Sequence, residues 1–592
     1  LTAEQKLQVM ESIYHCKVLD PACGSGAFPV GMLQQMVHIL SQLDPTNEQW
    51  KKMMLDEAVN ESRNAFQAES KEEREERLLD IENSFDENLN NPDYARKLYL
   101  IENCIYGVDI QPIAIQISKL RFFISLVVDQ KANNDPIKNF GIRPLPNLEA
   151  KFVAANSLIP LAKQEDSLGR TPDIITLENK LKEANHKIFS AKTVRTKRKW
   201  KTILIELRTE MAEKLAENGF LTSSAANQIA SWDMFNQNSA ASFFDADWMF
   251  GIKDGFDVVI GNPPYGAKLS EREKEVYRII YPETQFKIDT YSLFILMAMS
   301  NSYKKGFCTY IIPNTLLDNY FEEQVRVKLL NSFRLHEIND LNDKVFDGAV
   351  VHAMIISYIN DHTDAYDVKV NISPNLYGEH HLIPVGFFNL QDYHMISIRS
   401  YMMKDLMTKI SLGSTPLNQI LDIRQAIKSG NDKLYITGFK ENDNCKPILR
   451  GKDIGRFSMI NPNLYMMYGS HLACPRHSYI FEQPKILIRE AGAKITATFD
   501  DENFSKPELI PEEMSIQSNN SYRFFIRFYT TRNSFFNPIK EIIQCNYFFE
   551  MDERFQNADC IPAKILAMKL ESKDVFPIKE EKNDIQVSRR FF

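Results

Sequence analysis

Along the first two thirds of the chain, apolar and polar positions are grouped into blocks that repeat one pattern. Residues 18–40, VLDPACGSGAFPVGMLQQMVHIL, begin with a short apolar run, pass through a glycine-bearing turn and continue with apolar positions at helical spacing. This predicts a strand, a tight turn and an amphipathic helix. From about Leu40 to Leu100 charge dominates, as in ESKEEREERLLDIENSFDENLNN, which predicts a helical insertion with a solvated face rather than a share of the core. The first pattern returns in CIYGVDIQPIAIQISKLRFFISLVV, where an apolar strand ends at Asp109 and a helix follows. A third apolar run, AKFVAAN, ends near Asn156. Between Thr176 and Asn218 helix formers, with basic residues at Lys192, Arg195, Lys197, Arg198, Lys199 and Lys201, predict a long polar helix or hairpin within a second insertion, about 165–232. FDVVIG, GFCTYIIPNTLL and AVVHAMIISYI are β-branched runs suited to strands buried in a sheet.

Strands that alternate with helices predict an α/β domain built on a mostly parallel sheet. Past about His362 the pattern gives way to short strands, turns and aromatics, so a catalytic domain over 1–399 and a second domain over 400–592 are expected. At 592 residues the chain is long enough for both. Its 44% hydrophobic and 25% charged residues exclude a disordered or fibrous protein. The sequence holds no apolar run of membrane-spanning length and LTAEQKLQVM does not read as a cleavable leader, so a cytoplasmic protein with no membrane partner is expected.

The eight cysteines, Cys16, Cys23, Cys104, Cys308, Cys445, Cys474, Cys545 and Cys560, form no C-x-x-C pair. Reduced, mostly buried thiols are expected, with no metal site. A net charge of −8 excludes attraction of nucleic acid by the whole surface but leaves room for a locally basic cleft.

Ligands of doubly wound sheets sit beyond the carboxyl ends of the strands, where every candidate residue falls. In DPACGSGAF, Gly24 and Gly26 permit a tight turn and close approach to a ligand, and Asp20 can hold an ammonium. Asp109 is placed to accept from two ribose hydroxyls, or to cap the helix after it. Asn156, next to Ser157, could read an adenine edge or simply serve a turn. In VIGNPPYG the two prolines fix the backbone and remove two amide donors, so Asn262 and the carbonyl of Pro263 are held rigidly outward beside Pro264 and Tyr265.

DPACGSGAF, GVDI and GNPPY, in that order, resemble the amino-methyltransferases that use S-adenosylmethionine, and most closely the gamma-class adenine DNA methyltransferases. The stretch WDMFNQNSAASFFDADWMFGIKDGFDVVIGNPPYG resembles the approach to this motif in type IIG restriction-modification enzymes, which join nuclease, methyltransferase and DNA-specificity parts. The resemblance implies a Rossmann-like S-adenosylmethionine-dependent methyltransferase sheet with helical insertions, followed by an α+β target-recognition domain. It implies that Asp20, Ala22, Gly24, Gly26, Asp109, Ile110, Asn156 and Ser157 hold the cofactor. Asn262, Pro263, Pro264 and Tyr265 would then hold the N6 amine of a flipped adenine, with Tyr265 and Phe346 stacking on the base.

LDIRQAIKSGNDKLYITG, KPILRGKDIGRF and PKILIREAGAKITATFD resemble TaqI-like target-recognition segments, which implies that Arg450, Lys452, Arg456, Lys485 and Arg489 face double-stranded DNA. The family carries a threonine-proline motif shortly before the first glycine motif, and this chain begins too late to include it. A longer parent with an upstream nuclease domain is therefore expected. PDIITLENK imitates a metal-nuclease motif, but its cramped spacing reads as a helix start with Thr171 as N-cap. Two other readings share these residues: a protein glutamine methyltransferase, and a silent DNA-recognition module of a restriction enzyme.

Overall fold

The computed structural model describes residues 1–64, 81–142, 148–161, 172–190, 194–217, 232–284 apart from two positions, 288–341, 352–372 and 380–405. Beyond these it describes shorter stretches, chiefly 426–455 and 464–477. The chain divides into two compact units, one of Leu1–Asp347 with His352–Ser397, the other taking in the chain from Ile398.

The first unit is built on a nine-stranded sheet. Its strands are β1 (Val18–Asp20), β2 (Ile105–Asp109), β3 (Phe152–Ala154), β4 (Phe256–Gly261), β5 (Ser302–Pro313), β6 (Arg334–Asp340), β7 (Ala353–Ile359), β8 (Asp367–Ile372) and β9 (His381–Pro384). They lie in the order β3-β2-β1-β4-β5-β7-β6-β8-β9. From β3 to β5 every pairing is parallel. β7 then runs against both β5 and β6, so the far half of the sheet is mixed. The order reverses between β1 and β4, and their carboxyl ends flank the switch point at which such sheets bind ligands.

Local chemistry explains the elements. Thr2 and Gln5 form a reciprocal capping box that starts the Ala3–His15 helix. The Ala27–Leu43 helix turns Leu33, Met36, Val37 and Leu40 inward. The Pro112–Val127 helix, with proline at its first position, buries Ile115, Phe122 and Leu126 against the sheet.

The first insertion is helical, over Glu48–Asn64 and Asp93–Asn103 among the described residues, but the expectation that it stays out of the core is wrong. Trp50, Tyr94, Tyr99, Leu100 and Ile101 join Tyr14, Leu33, Ile105 and Phe152 in one apolar cluster. Tyr14 and Tyr99 stack at 4.1 Å, and Trp50 meets both rings edge-on. A few large side chains at helical spacing commit one face of a helix to the core, each worth about 1.5–3 kcal/mol, even where charges dominate its composition.

PDIITLENK lies in the Pro172–Ser190 helix, with Pro172 and Asp173 in its first turn. The helix packs on Val194–Glu217 as a hairpin, and Thr171 falls outside the described residues. Cys23, Cys104, Cys308 and Cys445 are buried and free, and Cys16 and Cys474 are half-buried and free. Among the described residues no helix is long and apolar enough to cross a membrane, and no group of side chains is arranged to hold a metal.

The second unit shows short, mostly antiparallel strands. Cys445–Leu449 pairs with Tyr465–Met467, and Lys485–Ile488 lies between Ala497–Asp500 and Phe525–Arg527. Ile427, Ile448, Met466 and Leu472 form one small core, and Ala426, Leu449, Ile454 and Leu487 another.

Candidate active site

Four loops meet at the carboxyl ends of β1 to β4. After β1 the backbone turns through two left-handed glycines, Gly24 (φ +54°) and Gly26 (φ +83°), which L side chains adopt only at a cost. Their surroundings differ. A Cβ on Gly26 would meet Ser118 Oγ at 2.9 Å and the Ser118 backbone at 3.2 Å, so Gly26 lets the Pro112–Val127 helix approach. A Cβ on Gly24 would meet nothing within 4 Å. Its amide donates to Asp109 Oδ2 at 2.9 Å, and its carbonyl accepts from Ser118 Oγ at 2.9 Å. Asp109 thus ties the glycine turn after β1 to the end of β2, and its Oδ1 accepts from the Gln111 amide at 2.8 Å. Ile110 beside it is 59% exposed.

Asp20 is buried, with Oδ1 accepting from the Ala22 amide at 3.1 Å. Burial, with Asp109 close by, outweighs that bond and pushes its carboxyl up to about 8. Gly261, at the end of β4, makes room for this carboxyl: a Cβ there would meet Asp20 Oδ1 at 2.7 Å and the Tyr310 ring at 3.5 Å. The first and fourth loops are therefore in close contact.

Asn156 and Ser157 are brought to the same end of the sheet. The Asn156 side chain accepts from the Leu158 amide at 3.1 Å and lies close to the Tyr277 hydroxyl. Ser157 is buried and donates to the Pro21 carbonyl at 2.5 Å, holding the β3 loop to the β1 loop.

After β4, Asn262 is half-buried, Pro263 buried, Pro264 exposed and Tyr265 half-buried. Partial burial raises the Tyr265 hydroxyl above its ordinary value. Asn262 Oδ1 is shielded from solvent and accepts no hydrogen bond among the described residues. A buried acceptor without a donor costs about 1–3 kcal/mol, which folding does not recover locally. The loop is held from outside by two residues that the motif reading missed, Asp289 and Thr290. Their signal was an Asp-Thr pair ahead of the apolar run YSLFILMAM, a helix start.

Phe346, Arg456 and Arg489 lie outside the described residues. Lys452 is exposed, and Arg450 is half-buried with its guanidinium 3.8 Å from Asp432. Lys485 is a correction. It stands in a strand paired on both sides, its side chain is only 2% exposed, and it does not face DNA from that position.

Residues 103–346 match the family model of the Eco57I restriction-modification methylase, and residues 446–508 that of the TaqI-like C-terminal specificity domain. The chain is 31% identical over 121 residues to the type II methyltransferase M.AccI of Acinetobacter calcoaceticus, a match over 19% of this chain and 22% of that protein. It is 25% identical over 405 residues to a Methanocaldococcus jannaschii protein assigned as a type II restriction enzyme and methyltransferase, over 59% of this chain and 30% of that one. The chain thus spans less than a third of the length of each of these relatives. Among solved structures, the type IIL restriction-modification enzyme MmeI in complex with DNA aligns over 92% of this chain and 61% of its own, with 11% identity and a TM-score of 0.42.

Proposed function

Because the chain carries an Eco57I-type restriction-modification methylase domain followed by a TaqI-like specificity domain, we propose that it methylates the exocyclic N6 amino group of adenine at one sequence in double-stranded DNA, with S-adenosylmethionine as donor. The observation that carries this reading is the buried Oδ1 of Asn262, which accepts no hydrogen bond among the described residues, beside the switch point of the sheet. An acceptor kept dry and empty at a ligand-binding edge suits an N–H donor that arrives with the substrate, and a primary amine brings two.

The exocyclic amine of adenine is a poor nucleophile because its lone pair is delocalised into the ring. Asn262 Oδ1 and the Pro263 carbonyl accept its two hydrogens and favour a tetrahedral nitrogen, which returns the lone pair to attack. The prolines keep both acceptors in place at no cost when the base arrives. The half-buried Tyr265 offers a face on which an extruded base can stack.

The cofactor fits the residues on the other side of the switch point. Asp109 and the open flank of Gly24 suit a ribose, the exposed Ile110 suits an adenine face, and Asp20 would suit an ammonium on giving up its proton to it. Asn156 and Ser157 shape the pocket through Leu158, Tyr277 and Pro21. When bound, the donor supplies a methyl on a positively charged sulfur. The amine nitrogen would form the new C–N bond as the S–C bond breaks, leaving the donor as a neutral thioether, and a proton would pass from nitrogen to solvent. In the specificity domain, Lys452 and Arg450 are the described cations we assign to DNA phosphates or bases.

The test is to incubate the chain with methyl-labelled S-adenosylmethionine and unmethylated duplex DNA, digest the DNA and identify the labelled nucleoside. Label in N6-methyl-2′-deoxyadenosine is expected. Label on cytosine, label on protein, or no transfer despite bound cofactor would overturn the reading.

A further inference from the structure

A loop with two consecutive prolines has few amides with which to anchor itself, yet Asn262 and Tyr265 have to be held to within a fraction of an ångström for transfer. Its anchors come from the start of one helix. Thr290 Oγ1 donates to the Pro264 carbonyl at 2.6 Å, and the Gly266 amide donates to Asp289 Oδ1 at 3.0 Å. The two bonds bracket Tyr265. Gly266 itself is left-handed, at φ +69°, with open space around it.

Two features separate this arrangement from ordinary capping. Asp289 occupies the N-cap of the Thr290–Asn301 helix, where an aspartate normally accepts from an amide of its own first turn, but its side chain makes no such bond. The carboxylate is given to the loop instead. The helix behind it is buried on every face, from Thr290 through Met299. A helix packed all round cannot shift without opening the core, so it provides a fixed platform.

We infer that Asp289 and Thr290 are positioning residues: they fix the loop on which Asn262 and Tyr265 meet the substrate amine, and they act through Gly266 and Pro264 rather than by touching substrate. This rests on the methyl-transfer reading for its consequence, but not for its geometry.

The test measures amide hydrogen exchange over residues 262–270 in the full chain, together with the rate of transfer. Protection at Gly266 should fall by roughly five- to tenfold in Asp289→Ala, as expected for loss of one hydrogen bond, and return in Asp289→Asn, which keeps the acceptor. Transfer should slow by about tenfold to a hundredfold in Asp289→Ala and in Thr290→Val, with cofactor affinity unchanged, and recover in Asp289→Asn and Thr290→Ser. Unchanged exchange at Gly266 in Asp289→Ala would overturn the inference. So would exchange that rises equally throughout the Thr290–Asn301 helix and is not rescued by Asn, since the role would then be structural. Exchange does not depend on catalysis. Loss of Gly266 protection in Asp289→Ala, together with no methyl transfer by the wild-type chain, contradicts the proposed reaction and supports the anchoring.

Discussion

In the proposed reaction Asn262 and Asp109 would carry opposite halves of the chemistry, and their removal should separate the halves. Asn262→Ala should lower the rate of transfer by about 10²–10³-fold, the usual cost of removing one preorganised transition-state partner, and leave cofactor affinity within about twofold. Asp109→Ala should weaken the cofactor by about tenfold to a hundredfold, as for loss of hydrogen bonds to a charged group. Isothermal titration with the cofactor and single-turnover transfer distinguish the two, and equal loss of both properties in Asn262→Ala would make that residue part of the cofactor pocket.

Asp20 gives a pH signature. Its carboxyl titrates near 3.8 in the unfolded chain and near 8 when folded, so the folded state holds the proton more tightly. The associated stability is present in full below about 4, falls as pH rises between these values and is gone above about 8. Urea unfolding at a series of pH values should show this decline in the wild type and a flatter profile in Asp20→Asn.

Much of this scale was legible in the sequence, because DPACGSGAF, GVDI and GNPPY place their residues at strand ends whatever the rest of the chain does. The role of Asp289 was not legible. An Asp before a helix reads as a cap, and only the fold shows that its carboxylate reaches 23 residues back to Gly266. Lys485 misled for a similar reason: a basic residue in a short strand carries no mark of which way it points.

Among the elements, the β1 turn is the most constrained. Gly26→Ala adds backbone strain at φ +83° to a clash with Ser118, and should destabilise the first unit by about 2–3 kcal/mol. Gly24→Ala carries similar strain without the clash. It should cost about 1–2 kcal/mol of stability and act mainly on cofactor affinity, because its Cβ enters the space left open there. Urea melts with and without cofactor compare the two, and equal destabilisation would mean that the Ser118 contact yields freely.

The parallel half of the sheet followed from alternating blocks in the sequence, but the strand order did not. The inward share of the first insertion did not, because Trp50 and Tyr99 are isolated among charges. The Pro112–Val127 helix shows a further limit of periodicity. It has a buried apolar stripe of Ile115, Phe122 and Leu126 and an exposed one of Ile113, Ile117, Leu120 and Ile124, and spacing alone cannot say which faces the sheet.

For the whole molecule, a net charge of −8 means that any attraction to DNA has to be local, and the second compact unit takes in the chain from Ile398. The two family matches fall one in each unit, the methylase match at 103–346 and the specificity match at 446–508. The central claim is therefore sequence-specific methylation of adenine. The most direct measurement exposes a pool of unmethylated duplexes of diverse sequence to the chain and S-adenosylmethionine, then reads every base for modification. The account predicts N6-methyladenine confined to one recurring sequence. Methyl groups on another base, or on adenines without regard to their neighbours, would contradict it.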